Sequence, residues 1–435
     1  MTTRTKNKPA SKPVQAKLDP FTNWSRQLVF SLLSRMKVGT LEIITPEQES
    51  YYSGDEDSSL ALSPIIRVHD NEFFRRCMLY ADIGLAESYI DGLIEISSIK
   101  DLISWFLVNQ HESPVLNESK AASKLINLLG IVNNTVHALR PNSKALAKQN
   151  IYQHYDLGND FFSIFLDPSM TYSSALFRTA EMTLAEAQQA KFERIAGRLK
   201  IEASDRVLEV GCGWGAFSLY LAKNYGCSIT ALTISQEQYD YTRELIKKEK
   251  VEHLIDLRLE DYRDHKGSYD KIASIEMIEA VGDKYMDVFI AKLDSLLAKD
   301  GVLAMQMITS ADSRYEILKS NVDFIQKHIF PGSLLPSLHR VNKAMMSSGE
   351  LLLVDLFDMT ESYVITLKRW QDAFEDNLDK IQDQGFDEHF IRKWKYYFEY
   401  CQAAFATRNI SVVQATYSRP NNLKLNKSTR SDHAD

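Results

Sequence analysis

Apolar residues recur along this chain with two different periods, and the change between them divides it. Trp24, Leu28, Leu32 and Met36 fall at four-residue spacing, which predicts an amphipathic helix closed by Gly39. Residues 40–44 and 64–68 read as short strands, followed by helical patterns over 71–83, 86–89 and 100–109. Together they predict a small α+β domain over residues 20–110, of a size that folds alone. Ahead of it, residues 1–19 carry Arg4, Lys6, Lys8, Lys12 and Lys17 with no acid before Asp19. This is the pattern of a disordered, solvated tail; the functional alternative is a weak tether to anionic lipid, at about 1 kcal/mol per basic residue. Residues 111–149, rich in Asn, Ser and Lys around an apolar patch at 125–132, read as a helical linker or as an arm against a second subunit.

From about residue 150 strand-like runs (206–210, 228–232, 255–259, 271–275 and 301–307) alternate with helical ones (185–198, 236–249 and 284–297). Alternation of this kind predicts an α/β fold with a parallel sheet covered by helices, and a ligand at the carboxyl ends of the strands. This larger domain spans 150–420. It is interrupted by an insertion over 309–350, where Phe324, Ile325, Ile329 and Phe330 are more apolar than a loop needs. A packed helical cap and an acyl-chain tunnel wall are compatible readings of it. Residues 421–435 form a polar tail.

At 435 residues and 44% hydrophobic content, the chain has core material for two or three domains. A net charge of −7 argues against bulk nucleic-acid binding. The four cysteines, Cys77, Cys212, Cys227 and Cys401, lack metal-ligand spacing and suit a reducing compartment. No metal site is expected. With no apolar leader at the N-terminus and no apolar run of about 18 residues, the expectation is a cytoplasmic protein that at most rests on a membrane surface.

The run Val207-Leu208-Glu209-Val210-Gly211-Cys212-Gly213-Trp214-Gly215 carries the sharpest chemistry. A strand turns at glycines straight into a helix, so a ligand can approach the main chain with no Cβ in the way. Alone, such a turn is a weak signal, shared by nucleotide, flavin and methyl-donor sites. Glu209 and the tight glycine spacing favour S-adenosylmethionine over NAD. A dinucleotide site wants an acid roughly 20 residues on, whereas the next strand here ends in Thr233-Ile234-Ser235.

Further motifs follow in order: Gln153-His154-Tyr155-Asp156-Leu157-Gly158, Thr171-Tyr172-Ser173-Ser174-Ala175, Leu232-Thr233-Ile234-Ser235-Gln236-Glu237-Gln238, Glu276-Met277-Ile278-Glu279-Ala280-Val281-Gly282, Ile329-Phe330-Pro331-Gly332 and Tyr363-Val364-Ile365-Thr366-Leu367-Lys368. With the glycine loop they resemble the cyclopropane fatty acid synthase family, which includes the mycolic acid methyltransferases. The resemblance covers nearly all of the catalytic half. It implies a Rossmann-like S-adenosylmethionine methyltransferase sheet with a helical cap, and a smaller lipid-engaging N-terminal domain. It also implies that Tyr172 and Ser173 close over the methionine part of the cofactor and that Gly211 and Gly213 line its cradle behind Glu209. Thr233 and Gln238 would take the ribose side, and Asp261 the adenine side. For Thr233 and Gln238 the plain structural alternative is capping of the helix that follows.

An alkene is a poor nucleophile, and its methylation leaves a carbocation that must lose a proton. The site therefore needs dry walls, a base, and a carboxylate or aromatic face that tolerates positive charge, the latter at about 0.5–2 kcal/mol. Members of the family hold a bicarbonate ion as base, gripped by Cys, Glu, His and Tyr. Glu279 and Tyr363 match that set. Ser174 stands where many members carry Cys, and Gln306 where they carry His; neither is an ionisable base near neutral pH. Either the anion site survives in altered form or Glu279 takes the proton more directly. Glu276 reads as a structural neighbour of Glu279, and Cys401 as apolar packing beside the site.

The resemblance thus implies methylene transfer to the double bond of an unsaturated phospholipid acyl chain, giving a cyclopropane, by an enzyme resting on the inner membrane surface. It also implies a homodimer through the N-terminal domain. One alternative is a methylene-branched product passed to a partner reductase. Another is a small-molecule N- or C-methyltransferase, which has little use for residues 20–110. A third is a catalytically silent S-adenosylmethionine- or lipid-binding protein, motivated by the missing Cys and His.

Overall fold

A computed structural model describes residues 18–55, 58, 60–112, 157–423 and 425, with side chains left aside at 110–112. The basic tail up to residue 17, the expected linker after residue 112, residues 153–156 with His154, and the chain end after 425 lie outside the described residues.

Helix α1 (Pro20–Leu33) begins where Asp19 accepts hydrogen bonds from the N–H groups of Phe21 and Thr22, with Pro20 at its first position. It ends three residues before Met36, which is buried outside it, and Trp24 stands exposed rather than on the packed face. Gly39 opens β1 (Gly39–Ile44) with φ +67°, where a Cβ would meet the carbonyl of Leu62 at 2.6 Å. β1 pairs antiparallel with β2 (Ser50–Asp55) and parallel with β3 (Ile65–Val68), which pairs antiparallel with β4 (Ile94–Ile96). Sequence pattern did not mark β2 or β4. β2 is polar and buries only Ser53, and β4 is three residues long, so neither shows a readable alternation. The two helices expected over 71–89 are one, α2 (Glu72–Ile90), broken at Ala81 (φ 49°, ψ −120°). Helix α3 (Ile99–Glu112) completes this part.

After α4 (Gly158–Phe162) and α5 (Leu184–Leu199), which opens with a capping box between Thr183 and Glu186, the expected alternation is found. In order come β5 (Arg206–Val210), α6 (Ala216–Tyr225), β6 (Ser228–Thr233), α7 (Gln236–Glu249), β7 (Ile255–Leu259), β8 (Tyr269–Ile275), α8 (Asp283–Leu296) and β9 (Leu297–Ser310). The cap holds α9 (Tyr315–Ser320), α10 (Phe324–His328) and α11 (Leu338–Ser348), and β10 (Leu352–Asp358) follows it. The chain then forms α12 (Thr360–Glu375), α13 (Leu378–Asp383), α14 (Glu388–Ala406) and β11 (Ile410–Ser418). The sheet order is β10-β11-β9-β8-β5-β6-β7. It is parallel from β9 to β7, but β11 and β10 add an antiparallel edge that the reading of a parallel sheet did not include. β10 is an apolar run left half exposed at the edge, so its burial carries no clean alternation.

The N-terminal sheet and its helices share a continuous hydrophobic core with α12 and α14, through Phe74, Trp105, Phe161, Trp370 and Trp394. Polar contacts fix the same junction. Arg392 on α14 donates to the carbonyls of Tyr89 (2.6 Å) and Ile94 (3.0 Å), its guanidinium lying 4.1 Å from the Tyr89 ring centroid. Glu87 on α2 pairs with Lys327 and His328 of the cap. Replacing Arg392 with Ala removes two charge-assisted hydrogen bonds and a stacked cation. It should lower unfolding free energy by about 2–4 kcal/mol in urea titration.

Candidate active site

The carboxyl ends of β5, β6 and β8 open into one cavity of about 1350 Å³. Its polar end is built on the turn after β5. Gly211, Gly213 and Gly215 all have positive φ, and the N–H groups of Gly211 and Cys212 both donate to the carbonyl of Leu232. A Cβ on Gly211 would sit 2.8 Å from Cγ of Met277, so both its backbone angle and its surroundings demand glycine. Trp214 ties the turn to α4, its indole N–H donating to Oδ1 of Asn159 at 2.6 Å.

Glu209 is buried at the end of β5, where Ser218 donates to it, and burial pushes its carboxyl up to about 8. Thr233 and Gln238 are buried on the cavity wall and bonded to each other, the Thr hydroxyl donating to Oε1 of Gln238 at 2.9 Å. Neither caps α7. Ser235 does so, its hydroxyl accepting from the N–H of Gln238. Asp261 also lines the cavity and is engaged by Arg263 through its Nε, Nη2 and backbone N–H.

The segment 167–175 closes over this end. Asp167 folds it by accepting from the N–H groups of Ser169 and Thr171, and Met170 takes a left-handed backbone. Tyr172 is thereby held among Phe162, Trp370 and Phe330, its hydroxyl 3.2 Å from that of Tyr397. Ser173 accepts from Nζ of Lys191 at 2.8 Å. Lys191 is fully buried on α5, and burial depresses its ammonium to about 7 against the opposing charges of Glu276, Asp167 and Glu209.

At the end of β8 the geometry departs from the expected site. Ser174 and Gln306 do not line the cavity. The Ser174 hydroxyl turns away to donate to the carbonyl of Ala175, and its backbone N–H donates to Oε1 of Glu276 at 2.8 Å. Gln306, buried on β9, donates through Nε2 to the same Oε1 at 2.7 Å and to the carbonyl of Ser174, while Gln414 donates to its Oε1. Tyr363 on α12 donates to Oε2 of Glu276 at 2.9 Å. Glu276, read from sequence as a structural neighbour, is the carboxylate on which three of the expected site residues converge. Its backbone is left-handed (φ 47°) directly after β8, which no sequence signal announces. Burial raises its carboxyl, opposed by the Gln306 hydrogen bond, Lys191, the Ser174 N–H and Tyr363.

Glu279 lies one turn on, in a 3₁₀ turn (Ile278–Ala280). The backbone N–H of Ile308 donates to its Oε1, while its Oε2 is buried with no hydrogen-bond partner among the described residues. Burial first, and the charge of Glu276 second, push Glu279 up to about 8. Burial and the facing Glu276 also raise the Tyr363 hydroxyl well above its ordinary value. Cys401 is a free thiol on the cavity wall, raised by burial. Lys191 and Glu276 are the two site groups that sequence reasoning missed. Both sit in ordinary-looking helical or strand-end positions, and only burial singles them out.

Beyond these groups the cavity turns apolar. Leu28, Leu32, Ile66, Phe73, Ile103 and Phe106 of the N-terminal part line it, together with Ile325 and Phe330 of the cap. Among the described residues no helix is long and apolar enough to cross a membrane, and no group of His, Cys, Asp and Glu is arranged to hold a metal ion.

The fold and the cradle are those of an S-adenosylmethionine-dependent methyltransferase. A model of the mycolic acid cyclopropane synthetase family matches residues 142–415, and the chain belongs to that family. It is 35% identical over 361 residues to the cyclopropane-fatty-acyl-phospholipid synthase of Escherichia coli K12, covering 81% of this chain and 87% of that protein. It is 34% identical over 381 residues to the tuberculostearic acid methyltransferase UfaA1 of Mycobacterium tuberculosis H37Rv, covering 82% and 84%. Among solved structures, mycolic acid cyclopropane synthase CmaA1 complexed with SAH and CTAB superposes with a TM-score of 0.58 at 30% identity. That match covers 62% of this chain and 98% of that one.

The raised carboxyl of Glu279 has a measurable consequence. Below its ordinary value of 4.5 the group is protonated both folded and unfolded; between 4.5 and about 8 only the unfolded chain sheds the proton. The native state therefore loses stability through this group as pH rises across that window, by at most about 1.4 kcal/mol per pH unit. Glu279→Gln should remove that loss. Its stability relative to the parent chain, measured by denaturant titration, should grow from pH 5 to pH 8 (about that window).

Proposed function

We propose that this chain transfers a methylene unit from S-adenosylmethionine to the double bond of an unsaturated acyl chain in a membrane phospholipid, forming a cyclopropane. The observation that carries this reading is the continuity of the cavity. The glycine turn, a buried carboxylate pair and a long apolar wall reaching α1, α2 and α3 share one space. At about 1350 Å³ it exceeds the roughly 300–1,000 Å³ of ordinary small-ligand sites, leaving room for a nucleoside and a long chain together. The name of the E. coli relative supports the same substrate class.

The residues present fit the cofactor. Gly213, on the cavity wall, leaves open the space that a Cβ would fill, and Thr233 and Gln238 offer neutral hydrogen-bonding groups to ribose hydroxyls. Asp261 would face the adenine side, and Tyr172 and Ser173 would cover the methionine side. When bound, S-adenosylmethionine supplies an electrophilic methyl group. The protein's own part is to exclude water and to face developing positive charge with the rings of Tyr172 and of Tyr363 and Phe405, the last two 4.5 Å apart, all on the cavity wall. Phe21 and Trp24, exposed on α1, suit a membrane surface, where the substrate resides. A second reading is methyl or methylene branching followed by a partner reductase; the UfaA1 relative is named a methyltransferase rather than a cyclopropane synthase.

Purified protein incubated with labelled S-adenosylmethionine and vesicles of cis-monoenoic phospholipid should yield acyl chains heavier by one CH₂ in chain-resolved mass spectrometry. Methylated products confined to water-soluble compounds would overturn the proposal. Gly211→Ala should weaken binding of S-adenosylhomocysteine at least about tenfold by calorimetry while the fold survives, because the added Cβ would press on the Met277 side chain and strain a turn held at φ +82°.

A further inference from the structure

The oxyanion base that the family resemblance implies does not fit this site. Such an ion needs donors facing it, and the donors in question are already taken. The Ser174 N–H and Gln306 Nε2 end on Oε1 of Glu276, and the Tyr363 hydroxyl on Oε2. One side-chain carboxylate thus fills the hydrogen-bonding role of a bound anion, with short, charge-assisted geometry on both oxygens. A second anion would have to be buried beside Glu276 and Glu279, where like charge already disfavours ionisation.

The backbone bears the same mark. Glu276 has φ 47°, a region costing a non-glycine residue on the order of 1 kcal/mol or more, and the surrounding structure holds it there. Its own N–H is tied to the carbonyl of Gln306, so strand β9 fixes both ends of the residue. The two carboxylates are also unlike. Among the described residues Glu276 collects three donors and has the buried Lys191 nearby, whereas Glu279 has one donor and an unpartnered Oε2. Environments that differ in this way separate two acids into an ionised and a neutral member.

We infer that Glu276 is the catalytic base of this enzyme, so that no bicarbonate is required; the inference rests on the lipid methylation proposed above. Oε1 accepts two hydrogen bonds, while Oε2 accepts only that of Tyr363 among the described residues and keeps a lone pair for the substrate. As the alkene's π pair bonds to the methyl carbon, the sulfur–methyl bond of S-adenosylmethionine would break, its pair staying on the departing S-adenosylhomocysteine, and positive charge rests on the adjoining chain carbon. A C–H bond of the added methyl then breaks, and its electron pair forms the second C–C bond and closes the ring. The proton passes to Oε2 of Glu276 and from there to water. Gln306 and the Ser174 N–H act as positioning groups that aim the carboxylate. The residue type of Gln306 follows from that task, since a neutral amide donates to a fixed carboxylate without titrating, whereas any residue but proline would supply the N–H at 174.

The test uses the full-length protein, monoenoic vesicles and S-adenosylmethionine in carbon dioxide-free buffer, with and without millimolar bicarbonate. If the parent chain makes no one-carbon-heavier lipid in either buffer, the proposed function itself fails. If it does, its rate should change less than about threefold with bicarbonate. Glu276→Gln should lower turnover at least about tenfold while binding S-adenosylhomocysteine within about threefold of the parent, a split that general misfolding does not produce. A larger bicarbonate dependence of the parent chain, or a smaller loss in the variant, overturns the assignment of Glu276 alone. Should Glu276→Gln lose cofactor binding, Glu276→Gly replaces it under the same thresholds, since glycine adopts the left-handed backbone freely.

Discussion

Four distant segments meet on one buried carboxylate. Glu276, at the end of β8, accepts from the loop before α5 through Ser174, from β9 through Gln306, and from α12 through Tyr363. A charge removed from water is tolerated only when hydrogen bonds replace its hydration, so these segments cannot move apart independently. The rest of the site inherits its position from that constraint. Tyr172 lies two residues before Ser174 in the same loop, Gly211 packs against Met277, and Glu279 is carried one turn beyond Glu276.

The same interior holds Glu209, Lys191 and Glu279, each displaced toward its neutral form chiefly by burial. A set of this kind is costly in a folded core, and it is concentrated at the carboxyl ends of the strands, where an α/β sheet offers its binding crevice. Next to it the cavity wall turns apolar and passes beneath the N-terminal helices. The stacked junction of Arg392 with Tyr89 and the shared core around Trp105 and Trp394 hold those helices against α14. The N-terminal part is therefore a wall of the site as well as a neighbour of it.

Much of the architecture was legible along the chain. The strands at 206–210 and 255–259 and the helix at 236–249 coincide with the structure; the first is a buried apolar run and the helix is amphipathic, both strong signals, while β7 is a mostly exposed edge strand marked by its place in the alternation. The polar β2, the short β4 and the antiparallel edge of β10 and β11 left no such pattern, because pairing rather than alternating burial defines them. In the site, the glycine turn was legible because its backbone can be built from few residue types. Ser174 and Gln306 were legible only as departures, and what they are for was not.

The residue order by itself determined the parallel α/β core, the cradle at Gly211 and Gly213, and the family to which the chain belongs, since local backbone demands and periodic burial are written in consecutive positions. It did not determine which acid is the hub. Glu276 and Glu279 are three residues apart and chemically identical, and only folding gives the first three hydrogen-bond donors and the second one. That distinction arises from donors 102, 30 and 87 positions away from Glu276 meeting it in one desolvated volume. Partners so distant leave no trace in local spacing.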